Sequence, residues 1–187
     1  PRNCSYCDFY SITDTSKMDA YTDAVVQEMG MRRSTGTVVD TIYIGGGTPS
    51  LLSTGAAGRM LDAVGQSFSI SSDAEITMEV NPGTVSPPAL QEYRSIGVNR
   101  VNVGVQSFDD RNLAFLSRIH SAGEGARALR AAADAGFANI GLDLIYGLPC
   151  QNKVSWRKGL AAAAAFSPAH ISCYMLAYET GSPMKPA

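Results

Sequence analysis

The chain has 187 residues, and 15 Lys and Arg against 17 Asp and Glu leave a formal charge of −2. That balance gives no electrostatic footprint for nucleic acid or an anionic membrane. With 45% hydrophobic and 17% charged residues, the composition is that of a globular chain and excludes general disorder.

No apolar run nears the ~18 residues of a transmembrane segment; even residues 140–148 are interrupted by Asp143. Four cysteines are too few for a disulfide scaffold, and no secretory signal opens the chain. They are expected as reduced thiols or metal ligands of a cytoplasmic protein. Pro1 at the start, and an end at Met184 to Ala187 with no helix stop or polar tail, give the look of an internal fragment.

In chain order, helical periodicity covers residues 18–32, 58–68, 87–96, 124–135 and 154–166, while apolar, β-branched runs cover 40–44, 75–80, 100–105, 139–146 and 170–176. The runs have the character of strands buried on both faces. Their starts lie 35, 25, 39 and 31 residues apart, the spacing of βα units joined by right-handed crossovers. The expected fold is therefore α/β with a parallel sheet. Ser86 before Pro87 is an N-cap with proline at the first helical position, and Gly97 and Gly136 stand where helices should stop. Residues 161–165 are all alanine, which predicts a tightly packed helix face. No repeat, low-complexity tract or linker divides the chain.

Polar residues gather at the C-terminal ends of the strands, where parallel αβ folds build their sites. Gly45, Gly46, Gly47 and Thr48 follow the first strand, Glu79 to Pro82 end the second, Gln106 and Ser107 the third, and Asp143 lies in the fourth. Three glycines let backbone pass close to a ligand. Cys4 and Cys7 enclose Ser5 and Tyr6 in a loop. By spacing alone this pair fits half a zinc site, a redox pair or part of an iron–sulfur site.

The segment Cys4-Ser5-Tyr6-Cys7-Asp8-Phe9 resembles the last two cysteines of the Cys-x-x-x-Cys-x-x-Cys loop of radical S-adenosylmethionine proteins. The resemblance continues through residues 44–50, 79–84, 104–108 and 142–149, and so spans essentially the whole chain. The particular group is that of oxygen-independent coproporphyrinogen III oxidases and the related heme chaperones.

The resemblance implies an incomplete parallel (βα) barrel over residues 1–187, with its first strand upstream and a further domain downstream. It implies a [4Fe-4S] cluster held by Cys4, Cys7 and a third cysteine immediately before Pro1. For S-adenosylmethionine it implies Gly46, Gly47, Thr48 and Glu79 at the methionine end and Arg118 at the carboxylate. Gln106 and Asp143 fall at the ribose, Tyr6 beside the adenine, and Ala177 gives a backbone contact.

The group also implies heme or coproporphyrinogen III as partner, together with an electron donor that the sequence does not identify. In the oxidase, cleavage of S-adenosylmethionine gives a 5′-deoxyadenosyl radical that initiates decarboxylation of a propionate. Oxidases carry a further cysteine two residues after the third; Phe9 stands there, which favours the chaperone. A non-radical alternative is a barrel enzyme holding phosphate on residues 45–48. Of the remaining residues, His120 and His170 are expected at the surface or at helix ends. Trp156 should anchor a helix, Cys173 should be a buried strand thiol, and Cys150 should be incidental.

Overall fold

The computed structural model describes residues 4–10, 12–34, 36–178 and 184. The expectations attached to Pro1 and to residues 185–187 lie outside the described residues.

The elements are α1 (Met18–Met31), β1 (Val38–Ile44), a 3-10 turn (Pro49–Leu51), α2 (Thr54–Ser67), β2 (Ser69–Val80), α3 (Pro87–Ser95), β3 (Arg100–Gln106), α4 (Asp110–Phe115), α5 (Ala122–Asp134), β4 (Asn139–Tyr146), α6 (Lys153–Ala164) and β5 (His170–Met175). The strands form one five-stranded sheet in the order β1-β2-β3-β4-β5, and every pairing is parallel. Sequential order with helical crossovers makes an incomplete (βα) barrel.

The helix ends follow from local chemistry. Ser86 Oγ accepts from Ala89 N at 3.3 Å, as its place before Pro87 predicts. Ser121 and Glu124 form a reciprocal capping box at the start of α5. Gly97 (φ 105°) and Gly136 (φ 88°) end α3 and α5 in left-handed turns. Helix α2 starts at Thr54, earlier than its apolar periodicity indicates, because Ser53 caps it through Ala56 N.

Alternation along the strands separates two faces. Met78, Val80, Val101, Val103, Val105, Leu142 and Leu144 pack with Leu61, Leu90, Tyr93 and Leu129 of the helices to form the core. Each fully buried aliphatic side chain contributes about 1.5–3 kcal/mol. The other face is polar. Arg100 donates to Thr77 at 3.2 Å and lies 3.9 Å from Glu75, and Glu75 also accepts from Asn139 at 3.0 Å.

This two-sided chemistry corrects the expectation of strands buried on both faces. Residues 101–105 of β3 are buried throughout, whereas β1 and β5, at the two edges of the sheet, are largely exposed. Cys173 is likewise exposed, not a buried thiol, because it lies on the edge strand β5. Among the alanines 161–165 only Ala163 is buried, so the run is mostly a solvent face. His120 is the reverse case: 4% exposed, it belongs to the interior. Trp156 packs on the core and meets the ring of Tyr146 at 5.7 Å, as an anchor should.

Candidate functional site

The loop after β1 is shaped by its neighbours. A Cβ on Gly45 would lie 2.7 Å from the Tyr43 ring and 3.1 Å from the Glu79 carboxyl carbon. Gly46 (φ 80°) and Gly47 (φ 51°) then turn the backbone through left-handed conformations. The turn aims Gly46 N–H at Glu79 Oε2 (3.1 Å), while the Tyr43 hydroxyl donates to Oε1 (2.8 Å). Both oxygens of Glu79 are thereby fixed, and each keeps a lone pair for a further donor. Partial burial, and then the hydrogen bond to Glu79, push the Tyr43 phenol well above its ordinary value, so it stays a donor. Thr48 follows at the start of the 3-10 turn.

Strand β2 ends in a turn closed by hydroxyls. Asn81 N donates to Ser50 Oγ (3.1 Å), Ser50 and Thr84 hydroxyls are 2.7 Å apart, and Thr84 Oγ1 donates to Asn81 O (2.8 Å). Since Thr84 gives its only proton to that carbonyl, Ser50 must donate to Thr84. The ring of bonds ties the glycine loop to Asn81. Asn81 Oδ1 in turn accepts from Arg118 Nη2.

Arg118 gathers the site. Helix α4 ends with Ser117 N bonded to Ala114 O and Arg118 N to Leu113 O, a Schellman closure with Ser117 at φ 56° in place of glycine. Ser117 Oγ donates to Ser5 Oγ at 3.0 Å, binding this closure to the cysteine turn, in which Cys7 N donates to Cys4 O. From there Nη1 of Arg118 reaches Cys4 Sγ (3.4 Å) and Tyr6 Oη (3.5 Å), and Nη2 also donates to Gly104 O (3.1 Å). Nε–H is buried and has no partner. Burial raises the Tyr6 phenol to about 12, with the Arg118 charge opposing.

At the ends of β3 and β4 the register slips between Val103 and Gln106. Gln106 adopts φ 65° there, and Ser107 N donates back to Val105 O at 2.8 Å, a three-residue turn that costs on the order of 1–3 kcal/mol for a non-glycine residue. The Gln106 amide folds over Gly104, where a Cβ would meet Gln106 Nε2 at 3.1 Å and Asn81 Oδ1 at 2.7 Å.

Asp143 Oδ2 accepts from Asn102 Nδ2 at 2.8 Å, and Asp143 Oδ1 is buried without a partner. Gly141 makes room for this pair, since a Cβ on it would overlap Asn102 Oδ1 and approach Arg100 Nη2 to 2.9 Å.

The structure thus joins Cys4, Tyr6 and Arg118 by direct contact, and Gly46 with Glu79. Gln106 and Arg118 come together around Gly104. Cys7 is on the same turn as Cys4, and Ala177 is an exposed residue just beyond β5. Asp143 is linked to Asn102 through Oδ2. Among the described residues no group of three or more Cys, His, Asp and Glu side chains is placed to hold a metal ion. Cys150 is exposed and apart from this assembly. Tyr43 and Asn102 were missed in the sequence, and Asn81 was noted only among the residues that end the second strand; their signal was the period-2 polar alternation along β1, β2 and β3, which places them in line with Glu79 and Asp143.

A family model described as the radical SAM superfamily matches residues 1–158. Among curated proteins the chain is similar to the heme chaperone HemW of Synechocystis sp., at 40% identity over 95% of this chain and 45% of that protein. It is similar to HemW of Escherichia coli at 40% identity, over 95% of this chain and 48% of that one. The mouse protein named radical S-adenosyl methionine domain-containing protein 1, mitochondrial, is 34% identical over 97% of this chain and 42% of its own length. The chain spans about half the length of the curated relatives it matches. Among solved structures, coproporphyrinogen III oxidase (HemN) from Escherichia coli, described as a radical SAM enzyme, superposes with a TM-score of 0.86 at 31% identity, over 95% of this chain and 42% of that one.

Proposed function

Because this chain belongs to the radical SAM superfamily, we propose that it is the cluster- and S-adenosylmethionine-binding core of a heme chaperone. The observation that carries the reading is the bond from Arg118 to the Cys4 thiol, which makes the cysteine turn and the polar strand ends one site.

The residues present fit both groups. Cys4 and Cys7 offer two soft thiolates on one turn, and a third is expected immediately before Pro1. The buried, unpartnered Nε–H of Arg118 and Oδ1 of Asp143 are a donor and an acceptor that a zwitterionic, hydroxylated ligand would satisfy. Gly46, Gly47 and Thr48 would cradle the methionine end and Glu79 would accept from its ammonium. Gln106 and Asp143 would take the ribose hydroxyls, Tyr6 would lie at the adenine, and the Ala177 backbone would complete the contacts. When bound, the reduced cluster supplies the electron for reductive cleavage of S-adenosylmethionine. The chain's own part is to orient that ligand through Glu79, Arg118 and Asp143.

Heme as the cargo is favoured by the 40% identity to proteins named heme chaperone and by Phe9 at the place of the oxidase's extra cysteine. Phe9 is 76% exposed. A second reading, coproporphyrinogen III oxidation, is favoured by the likeness to HemN. We infer a cytoplasmic setting, in which the thiols stay reduced; no helix among the described residues is long and apolar enough to cross a membrane.

The test uses the full-length protein with its cluster reconstituted without oxygen. It should bind heme and leave coproporphyrinogen III unchanged in the presence of reductant and S-adenosylmethionine. Turnover to protoporphyrinogen IX would establish the oxidase. Stoichiometric zinc in place of iron, with no spectroscopic response to S-adenosylmethionine, would refute both.

A further inference from the structure

We propose that His120 is a positioning residue that holds Gln106 in its left-handed turn and so sets the edge of the site that faces the ribose. The proposal rests on the reading that Gln106 faces bound S-adenosylmethionine.

The imidazole is 4% exposed, and its Nε2 lies 3.1 Å from Val105 O. A carbonyl oxygen can only accept, so Nε2 carries the proton and Nδ1 is a bare acceptor, buried without a partner. Val105 O therefore receives two donors, His120 Nε2–H and the Ser107 N–H that closes the turn at Gln106. These fill both lone pairs of the carbonyl that anchors the three-residue turn.

The opposite end of the turn is held separately. Ser107 Oγ accepts from Asp109 N (3.1 Å) and from Asn112 Nδ2 (3.3 Å). Without the imidazole, Val105 O keeps only the Ser107 N–H that closes the turn, and Gln106 is held less firmly at φ 65° against the extended backbone that other residues prefer.

The ring is in ordinary packing contact with its surroundings. A Cβ on Gly125 of α5 would stand 4.0 Å from His120 Cδ2 and 3.4 Å from Val105 Cγ1, and a Cβ on Gly83 would touch His120 Cβ at 3.8 Å. An apolar residue would pack here without leaving a buried nitrogen unpaired. The histidine is explained by the one bond it gives to Val105 O, next to the residue whose conformation is strained.

The experiment uses the full-length, cluster-reconstituted protein and titrates S-adenosylmethionine into wild type, His120→Leu, His120→Gln, His120→Asn and Gln106→Ala, and into His120→Leu combined with Gln106→Ala. Glutamine presents its Nε2 at the position of imidazole Nε2; asparagine's shorter amide matches Nδ1 and leaves Val105 O short of a donor. His120→Leu and His120→Asn should each weaken binding roughly three- to tenfold, the worth of one hydrogen bond, and His120→Gln should restore it. In the Gln106→Ala background His120→Leu should weaken binding no further. ¹⁵N spectra of the protein should show the Nε2-protonated tautomer.

Wild-type affinity in His120→Leu together with a lowered melting temperature would reduce His120 to a packing residue and overturn the proposal. So would additive losses in the double variant, or a Gln variant as weak as the Asn one. Should His120→Leu not fold, the contrast between Gln and Asn decides alone. Unchanged affinity in Gln106→Ala would remove Gln106 from the site, a failure of the underlying reading recognisable before any His120 variant is weighed.

Discussion

Arg118 Nη1 lies 3.4 Å from the sulfur of Cys4, a contact that spans 114 residues of sequence. The same guanidinium also binds Tyr6 Oη, Asn81 Oδ1 and Gly104 O, so one side chain holds the cysteine turn against the ends of β2 and β3. Only Nε–H is left over for a ligand carboxylate. Arg118→Ala should weaken S-adenosylmethionine binding by about 1.5–3 kcal/mol, the range for hydrogen bonds to charged groups. It should also speed amide exchange at Cys7, whose N–H closes the cysteine turn onto Cys4 O. Arg118→Lys should repair little, because a single ammonium cannot replace a fork with four protein partners. Wild-type affinity in the alanine variant would remove Arg118 from the site.

Asp143 and Asn102 form the corresponding unit on β3 and β4. Asp143→Ala should cost about 1.5–3 kcal/mol of S-adenosylmethionine affinity and leave the cluster assembled. Asn102→Leu, which strips Asp143 Oδ2 of its donor, should cost about 1 kcal/mol by the same measure. Calorimetric titration of both variants checks the pair. A loss on Asn102→Leu equal to that of Asp143→Ala would mean that the amide also touches the ligand directly, through the Oδ1 that has no partner.

The alternation of strands and helices was legible because each strand's helix-facing residues are apolar, and β4 was delimited to its ends at Asn139 and Tyr146. The alignment of Gly46, Glu79, Gln106 and Asp143 at one edge followed from that alternation. What the sequence hid is the concave face. Glu75, Thr77, Arg100 and Asn139 satisfy one another across strands, and polar residues of this kind interrupt no apolar run long enough to be noticed. Helix α4 was missed because it is only 6 residues long and starts from the Asp109 cap with little apolar periodicity. His120 was expected at the surface or at a helix end; it does precede the Ser121 cap of α5, but it is buried, and that burial depends on a carbonyl fifteen residues earlier, which no local pattern marks.

Stability should depend on pH through His120. Burial, with the Arg118 charge adding to it, lowers the His120 pKa below its ordinary value. The unfolded chain therefore takes up this proton at a higher pH than the folded one. Above about 6.5, the ordinary histidine value, both states are neutral and the group is silent. As pH falls below that value, the unfolded state gains its proton first and stability declines until the lowered folded pKa is reached. Urea unfolding between pH 7.5 and 5 should show this decline in wild type and a flatter profile in His120→Gln. Glu124, held low by its bonds to Ser121, acts in a separate and more acid window, where stability is lost as the carboxylate protonates. Parallel profiles for the two proteins would show that the imidazole does not titrate between the folded and unfolded states as described.

The glycines after β1 separate two kinds of constraint, and alanine substitutions should tell them apart. Gly46 has φ 80° with open space where a Cβ would go, so Gly46→Ala meets only backbone strain. It should lower stability by roughly 1–2 kcal/mol, the cost of a left-handed conformation for a residue with a Cβ. Gly45 carries no such conformation; its constraint is the Tyr43 ring at 2.7 Å and the Glu79 carboxyl carbon at 3.1 Å. Gly45→Ala must push the phenol aside, and with it the hydroxyl that holds Glu79 Oε1 at 2.8 Å. The expected result is a small change in melting temperature, because Tyr43 is 56% exposed and its ring can swing into solvent, together with a marked loss of S-adenosylmethionine affinity as Glu79 is freed. Tyr43→Phe, which deletes the same hydrogen bond without crowding the loop, should reproduce most of that loss. If Tyr43→Phe binds normally while Gly45→Ala does not, the damage lies in the path of the loop and Glu79 needs no help from Tyr43.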